Sequence, residues 1–264
     1  MLKGIDISNW QGGINLKKVI KNNDIDFVIV KASEGLTFTD KYMNDFIEQA
    51  EDCGVLIGFY HFARPSNDPE KEADFFITKN KNLFGKYVSI LDLEMRSDQA
   101  VAWAYKFLNR VITKTGVRPW LYSYLSYLNT YKWDSVKSLD VALWIAQYKT
   151  AGQFNGFPAS PPSYTKPNCS IPVCAYQFTS KGRLQGYGGD LDLNYYYGDA
   201  ESWRRYARPP GTGSALHDDL ITELAERVIK GKYGSGDIRK QALGCLYTEV
   251  QIKVNELMKE RTTK

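Results

Sequence analysis

Histidine is almost missing from this chain, two in 264 residues, and His61 is alone in the first 208. A zinc site built on two histidines, of the amidase or protease kind, has no ligand set in that stretch. Cysteine is scarce too, four in all, which excludes a disulfide scaffold. Cys53 precedes a glycine and reads as filler. Cys169 and Cys174, spaced C-x4-C, lack the second pair that a structural zinc needs. No metal or organic cofactor is expected. No apolar run approaches the roughly 18–20 residues of a membrane span. The opening Met1-Leu2-Lys3-Gly4-Ile5-Asp6 has no signal-peptide core, so a cytoplasmic start and reduced thiols are expected. Strong charge is also absent. The net of +4 is too small to argue for nucleic acid. Gly186-Tyr187-Gly188-Gly189-Asp190 is glycine-rich but lacks the lysine of a phosphate loop. It reads as a turn into a last strand.

What is present is an ordinary globular composition, 43% hydrophobic and 24% charged, which excludes wholesale disorder. The sharpest break is Arg208-Pro209-Pro210-Gly211-Thr212-Gly213-Ser214, a short, fairly stiff linker. It predicts a large domain over 1–208, a linker over 209–215 and a small module over 216–264. Strand-like runs cover residues 2–8, 27–32, 55–62, 88–94, 120–124, 141–146 and 173–178, with a weaker one around Leu191-Asp192-Leu193. Helix-like stretches cover 40–53, 69–81 and 97–115, the last with Val101, Tyr105, Leu108 and Ile112 on one face. Residues 149–174 lack periodicity and read as one long ordered loop, a length usually functional. Alternating β and α at this length predicts an α/β fold with a parallel sheet. Eight strands predict an irregular (β/α)8-like barrel, short of helices in its later units.

Acids recur at the ends of the apolar runs: Asp6, Asp92 with Glu94, and Asp192. The i, i+2 spacing puts Asp92 and Glu94 on one strand face and turns Leu91 and Leu93 the other way. In a barrel the C-terminal strand ends form the active-site face, so four acids from three strands can meet there. Crowded carboxylates cannot all ionise cheaply, and at least one is pushed towards a general acid near neutral pH. Glycosidic cleavage needs that proton on the leaving oxygen and a negative group against the developing oxocarbenium charge. The bland alternative is ion pairing or helix capping. Aromatic residues are 14% of the chain, and Tyr60, Tyr122, Trp144, Tyr148 and Tyr176 lie near strand ends. Aromatic faces with polar edges suit sugar rings, although most of these residues are expected to fill the core.

Six segments in order then carry a resemblance: Gly4-Ile5-Asp6-Ile7-Ser8, Lys31-Ala32-Ser33-Glu34-Gly35, Gly58-Phe59-Tyr60-His61-Phe62, Asp92-Leu93-Glu94, Leu143-Trp144-Ile145-Ala146-Gln147-Tyr148 and Asp192-Leu193-Asn194. Together they resemble the family 25 glycoside hydrolases, lysozymes of the N-acetylmuramidase type common among phage lysins. The resemblance implies an irregular β/α barrel that cuts the β-1,4 bond between N-acetylmuramic acid and N-acetylglucosamine. Glu94 would be the general acid, Asp92 its assistant, and Asp6 and Asp192 the rest of the acidic cluster. Tyr60, Tyr122, Trp144, Gln147, Tyr148, Gln177, Lys31 and Glu34 would bind substrate. Where the family often has Trp-Gln, this chain has Tyr176-Gln177, so a locally different groove is expected. A phage endolysin would wait in the host bacterial cytoplasm until lysis and then meet the wall. The rival reading is a non-catalytic peptidoglycan-binding protein, whose expected signature is a lost acid. A chitin-directed glycosidase is a third.

The tail reads as three short helices. The first spans about 218–230 with Leu220, Leu224 and Val228 in period. The second follows Gly236-Asp237 with Ile238, Ala242, Leu243 and Leu246. The third opens with Thr248-Glu249-Val250-Gln251, a capping box, followed by Val254 and Leu257. Residues 224–239, with Val250-Gln251 and Val254-Asn255, resemble the short cell-wall-binding repeat of phage lysins, with Tyr233 where Trp is usual. The resemblance implies peptidoglycan binding around Tyr233, Ser235, Asp237 and Arg239. The repeat usually occurs in tandem; a single copy gains avidity only by self-association.

Overall fold

The computed structural model describes residues 1–209, 214–243 and 246–262. All eight expected strands form, as β1 (Leu2–Ile7), β2 (Phe27–Glu34), β4 (Leu56–Phe62), β5 (Val88–Asp92), β6 (Trp120–Tyr124), β7 (Leu143–Ala146), β9 (Val173–Arg183) and β10 (Leu191–Tyr196). Two-residue strands β3 (Phe38–Thr39) and β8 (Phe154–Asn155) flank them. The eight close into a barrel in the order β1-β10-β9-β7-β6-β5-β4-β2, and β2 pairs back onto β1.

The sheet is not wholly parallel, which corrects the sequence expectation. β10 runs antiparallel to both β9 and β1. The physical reason lies in the connection: residues 184–190 are a tight turn, and a parallel return needs a crossover of a dozen or more residues. β5 also stops at Asp92, so Glu94 lies just beyond the strand. The long loop after β7 is as expected, apart from β8.

Helices α2 (Met43–Asp52), α3 (Pro69–Lys79) and α4 (Ala100–Thr115) are the three that periodicity predicts. Those it misses are α1 (Leu16–Asn23), α5 (Leu125–Thr130), α6 (Asp134–Lys137) and α7 (Ala200–Tyr206). The buried face of α4 carries Ala100, Trp103, Ala104, Phe107, Leu108 and Val111. Of the stripe read from sequence only Leu108 is fully buried, while Val101, Tyr105 and Ile112 pack at its edge. The small alanines let α4 sit close, and the aromatic rings fill the remaining space.

Side-chain alternation divides the core in two. Outward-facing residues such as Val28, Val30, Leu91, Leu93, Leu121 and Tyr176 meet the helices. Inward-facing ones such as Phe27, Ile29, Ile90, Trp120, Trp144 and Tyr196 fill the barrel. Gly4 is required here, because a Cβ would stand 2.3 Å from the Phe27 ring. Helix α7 plugs the end of the barrel remote from the acids. Trp203 lies with ring centroids 4.7 Å from Phe27 and 5.0 Å from Trp120, and its indole N–H donates to the Ile57 carbonyl at 3.2 Å.

Three further helices follow: α8 (Ser214–Ile229), α9 (Gly236–Leu243) and α10 (Tyr247–Thr262). They bury Ile221, Leu224, Ala225, Val228, Leu243, Leu246, Val250 and Val254 against one another. Residues 210–213 of the linker and the side chains of Leu220 and Glu249 lie outside the described residues. Ile238, expected in this core, is 67% exposed. The capping box is shifted: α10 starts at Tyr247, placing Thr248 inside the helix, and the Gln251 side chain accepts from Arg239 at 3.2 Å. No helix among the described residues is long and apolar enough to cross a membrane.

Candidate active site

Strand parity brings the acids together. Asp6 faces the interior from the end of β1, and Asp92 does so two positions after Ile90 on β5. Because β10 is reversed, Asp192 reaches the same end of the barrel from the start of its strand, directly opposite Asp6. Glu94, half-buried, stands past the end of β5. Like charges paired across a ladder are unfavourable, and burial makes each acid harder still to ionise. Burial raises Asp92 well above the usual carboxylate range, with Glu94 and Asp6 adding to the shift and Lys31 opposing it. Burial likewise raises Glu94, against a hydrogen bond shared with Asp92 and the charge of Lys31. Asp192 is pushed up to about 9 by burial and then by Asp6 and Glu94. Asp6 is raised to about 6 by burial, held down by hydrogen bonds from Asn194 and Gln177.

Asp6 is the clamped member. The Gln177 and Asn194 amides donate to its Oδ2 at 2.8 and 2.7 Å. Trp144 donates to Asn194 Oδ1 at 2.9 Å, and the Tyr122 hydroxyl donates to Gln177 Oε1 at 2.7 Å, joined there by Tyr148. Asp92 is its opposite: one carboxyl oxygen, Oδ1, is buried with no hydrogen-bond partner. An uncompensated buried carboxylate oxygen is costly, which favours a proton on the Asp92–Glu94 pair.

Several residues expected to line the groove have other places. Trp144 is 2% exposed and belongs to the barrel interior, so it offers no face to a sugar. Gln177 is equally sealed and acts on Asp6. Gln147 is committed to the long loop, donating to Thr165 Oγ1 at 3.1 Å and accepting from the Thr165 N–H at 2.7 Å. Tyr176 faces the outer core, where its hydroxyl holds the Gln147 carbonyl at 2.7 Å. The Tyr-for-Trp difference therefore points away from the groove. Tyr60, Tyr122 and Tyr148 do face the acids: their phenols are raised by burial and by the acids' charges. Lys31 pairs with Glu34 at 2.6 Å, Glu34 pairs with Arg64, and the Lys31 ammonium lies 4.9 Å from the Phe62 ring centroid.

Sequence reasoning missed the mount of Glu94. Beyond β5 the Leu93 N–H still donates to the Tyr122 carbonyl of β6 at 3.0 Å, and three successive carbonyls are caught by hydroxyls from the neighbouring β6–α5 segment. Ser123 donates to Leu93 O at 2.6 Å, Tyr124 to Glu94 O at 3.4 Å and Tyr127 to Met95 O at 2.9 Å. Hydroxyls at 123 and 124, closing a strand, and at 127, just past it, were the available signal. A second network is a decoy. Ser33 Oγ lies 2.9 Å from His61 Nδ1, and His61 Nε2 lies 2.9 Å from Glu72 Oε2. The order is that of a nucleophilic triad, but all three side chains are sealed from solvent. Burial holds the His61 imidazole below its usual range. Among the described residues no group of three His, Cys, Asp or Glu could hold a metal ion.

A closed barrel with four carboxylates at one mouth is matched by the sequence profile of the glycosyl hydrolases family 25 over residues 5–187. The chain belongs to that family. Residues 222–258 match the CW_7 repeat. The autolytic lysozyme of Clostridium acetobutylicum is 31% identical over 199 residues, covering 74% of this chain and 56% of that protein. This chain thus spans little more than half the length of that relative. The lysozyme of Streptococcus phage Cp-1 is 30% identical over 156 residues, 54% of this chain and 43% of its own. The bacterial lysozyme of Streptomyces coelicolor superposes with a TM-score of 0.63 at 25% identity, covering 78% of this chain and 97% of its own.

Among the expected wall contacts, Ser235 and Asp237 are exposed and Tyr233 is half-buried against the helical core. Asp237 pairs with Lys166 of the barrel loop at 3.1 Å. Arg239 donates to the Gly234 carbonyl at 2.8 Å and so closes the turn between α8 and α9.

Proposed function

We propose that the chain is a peptidoglycan hydrolase of the muramidase kind, cutting the β-1,4 bond from N-acetylmuramic acid to N-acetylglucosamine. The observation that carries the reading is the pairing of a half-buried Glu94 at the barrel mouth with a buried, partnerless oxygen on Asp92. Burial, with crowding at Asp92, keeps a proton on the pair, and Glu94 is the member that solvent and substrate can reach. Glu94 donates that proton to the glycosidic oxygen as the C–O bond breaks. Asp92 then faces the positive charge developing on the sugar, or orients its acetamide, and water completes the hydrolysis. Asp6, fixed by two amide donors, and Asp192 opposite it deepen the negative field. Residues 1–208 form the catalytic unit and 216–264 a wall-binding module. In that module Tyr233, Ser235 and Asp237 make the contacts and Arg239 shapes the turn.

The test is Glu94→Gln, nearly isosteric but unable to donate the proton. Lysis of purified walls should fall by about 10²–10⁴, while melting temperature holds or rises because a crowded carboxyl is removed. Activity within about twofold of wild type would remove Glu94 from the role.

A further inference from the structure

The exposed large apolar side chains of the barrel are not scattered. Past the N-terminal Met1, those among its described residues are Trp10, Leu36, Phe38, Met95 and Tyr148. Each follows the C-terminal end of a barrel strand, β1, β2, β5 or β7. Apolar side chains thus stand exposed on the acid-bearing end of the barrel. Single exposed apolar residues need no explanation, but a clustered set marks a binding surface.

Trp10 is the extreme case, 84% exposed on a rigid mount. It is the middle residue of the single helical turn Asn9–Gln11, closed by a reciprocal capping box between Ser8 and Gln11. The turn is also tied sideways. Buried Asp40 accepts from the Asn9 N–H at 2.7 Å and from the Tyr42 N–H at 2.9 Å, while its own N–H donates to Ala32 O at 3.0 Å. Asp40 follows β3, so one carboxylate stitches the Trp10 turn to the β2–β3 hairpin carrying Leu36 and Phe38. A large aromatic face held in water on a pre-ordered wall loses little entropy on binding. Three residues lie between it and Asp6, so it stands within about 13 Å of extended chain from that acid.

We propose that Trp10, tied through Asp40 to the Leu36–Phe38 hairpin, is a stacking platform for an N-acetylhexosamine ring of the glycan strand beyond the two that flank the bond cut. Sugar rings present apolar C–H faces that lie flat on an indole. The inference rests on the glycan-cleaving reading above but concerns the hold on the strand, not the cut.

Calorimetric titration of soluble, uncrosslinked glycan strands tests it without turnover, in the Glu94→Gln background. Adding Trp10→Ala should weaken long strands about tenfold and leave the affinity ratio of long strands to a single disaccharide reduced by the same factor. Trp10→Phe should recover most of the loss. The melting temperature should not move, since the ring touches little. Equal affinity of Trp10→Ala and its parent for long strands would overturn the platform while leaving the glycan reading intact. Glycan bound by neither would overturn both. A change in sedimentation coefficient with unchanged glycan affinity would make Trp10 a contact between copies of the chain, which also contradicts the proposal.

Discussion

Lys31 acts on two of the acids at once. It opposes the upward shift of both Asp92 and Glu94 and is held by Glu34 and the rings of Phe38 and Phe62. Its place inside the barrel follows from parity, two positions after Ile29. Loss of its positive charge makes ionisation of both acids harder. Lys31→Met should therefore move the alkaline limb of the pH–rate profile to higher pH, because the general acid keeps its proton longer. An unchanged limb, with only KM altered, would make Lys31 a substrate contact, as the family resemblance has it. Asp6, Asp92, Asp192, Tyr60 and Tyr122 were legible in the sequence because period-2 alternation holds where they sit in their strands. Trp144, Gln147 and Gln177 were misplaced for a reason of the same scale. Motif membership does not distinguish a side chain that meets substrate from one that holds its neighbour.

At the scale of elements, the segment after β5 matters most. Strand periodicity carries Asp92 correctly, but the strand read over 88–94 stops at Asp92, and the Glu94 carbonyl beyond it accepts from the Tyr124 hydroxyl. Ser123→Ala would leave the buried Leu93 carbonyl unpaired, at a cost of about 1–3 kcal/mol. It should lower kcat more than it changes KM, since the acid shifts without any loss of sugar contact. Denaturant titration and steady-state kinetics on one preparation check both, and a stability loss without a kcat loss would leave Ser123 a purely structural residue. The antiparallel β10 and the short helices α5 to α7 were hidden for physical reasons. Direction is decided by a connection length, and helices of four to seven residues carry too few turns to show a period.

At the scale of the whole molecule, the barrel extends beyond the family match. The match stops at Tyr187, yet β10 closes the seam and α7 fills the far end with Trp203 and Tyr206. A chain cut after Arg208 should fold and keep cleaving soluble strands while binding intact walls less. A chain cut after Tyr187 should fail to fold. Circular dichroism and wall sedimentation at two salt concentrations decide between them. The tail has nine Lys and Arg against eight Asp and Glu over 216–264, so its wall affinity should depend weakly on salt. Equal wall binding by the 1–208 chain would deny the tail its role.

The central claim is that this barrel mouth cuts after muramic acid, and the reducing ends released from purified peptidoglycan test it directly. Mass spectrometry after borohydride reduction should find muramitol ends with the wild-type chain and none above background with Glu94→Gln. Glucosaminitol ends, or new free amines from a cut peptide stem, would contradict the account.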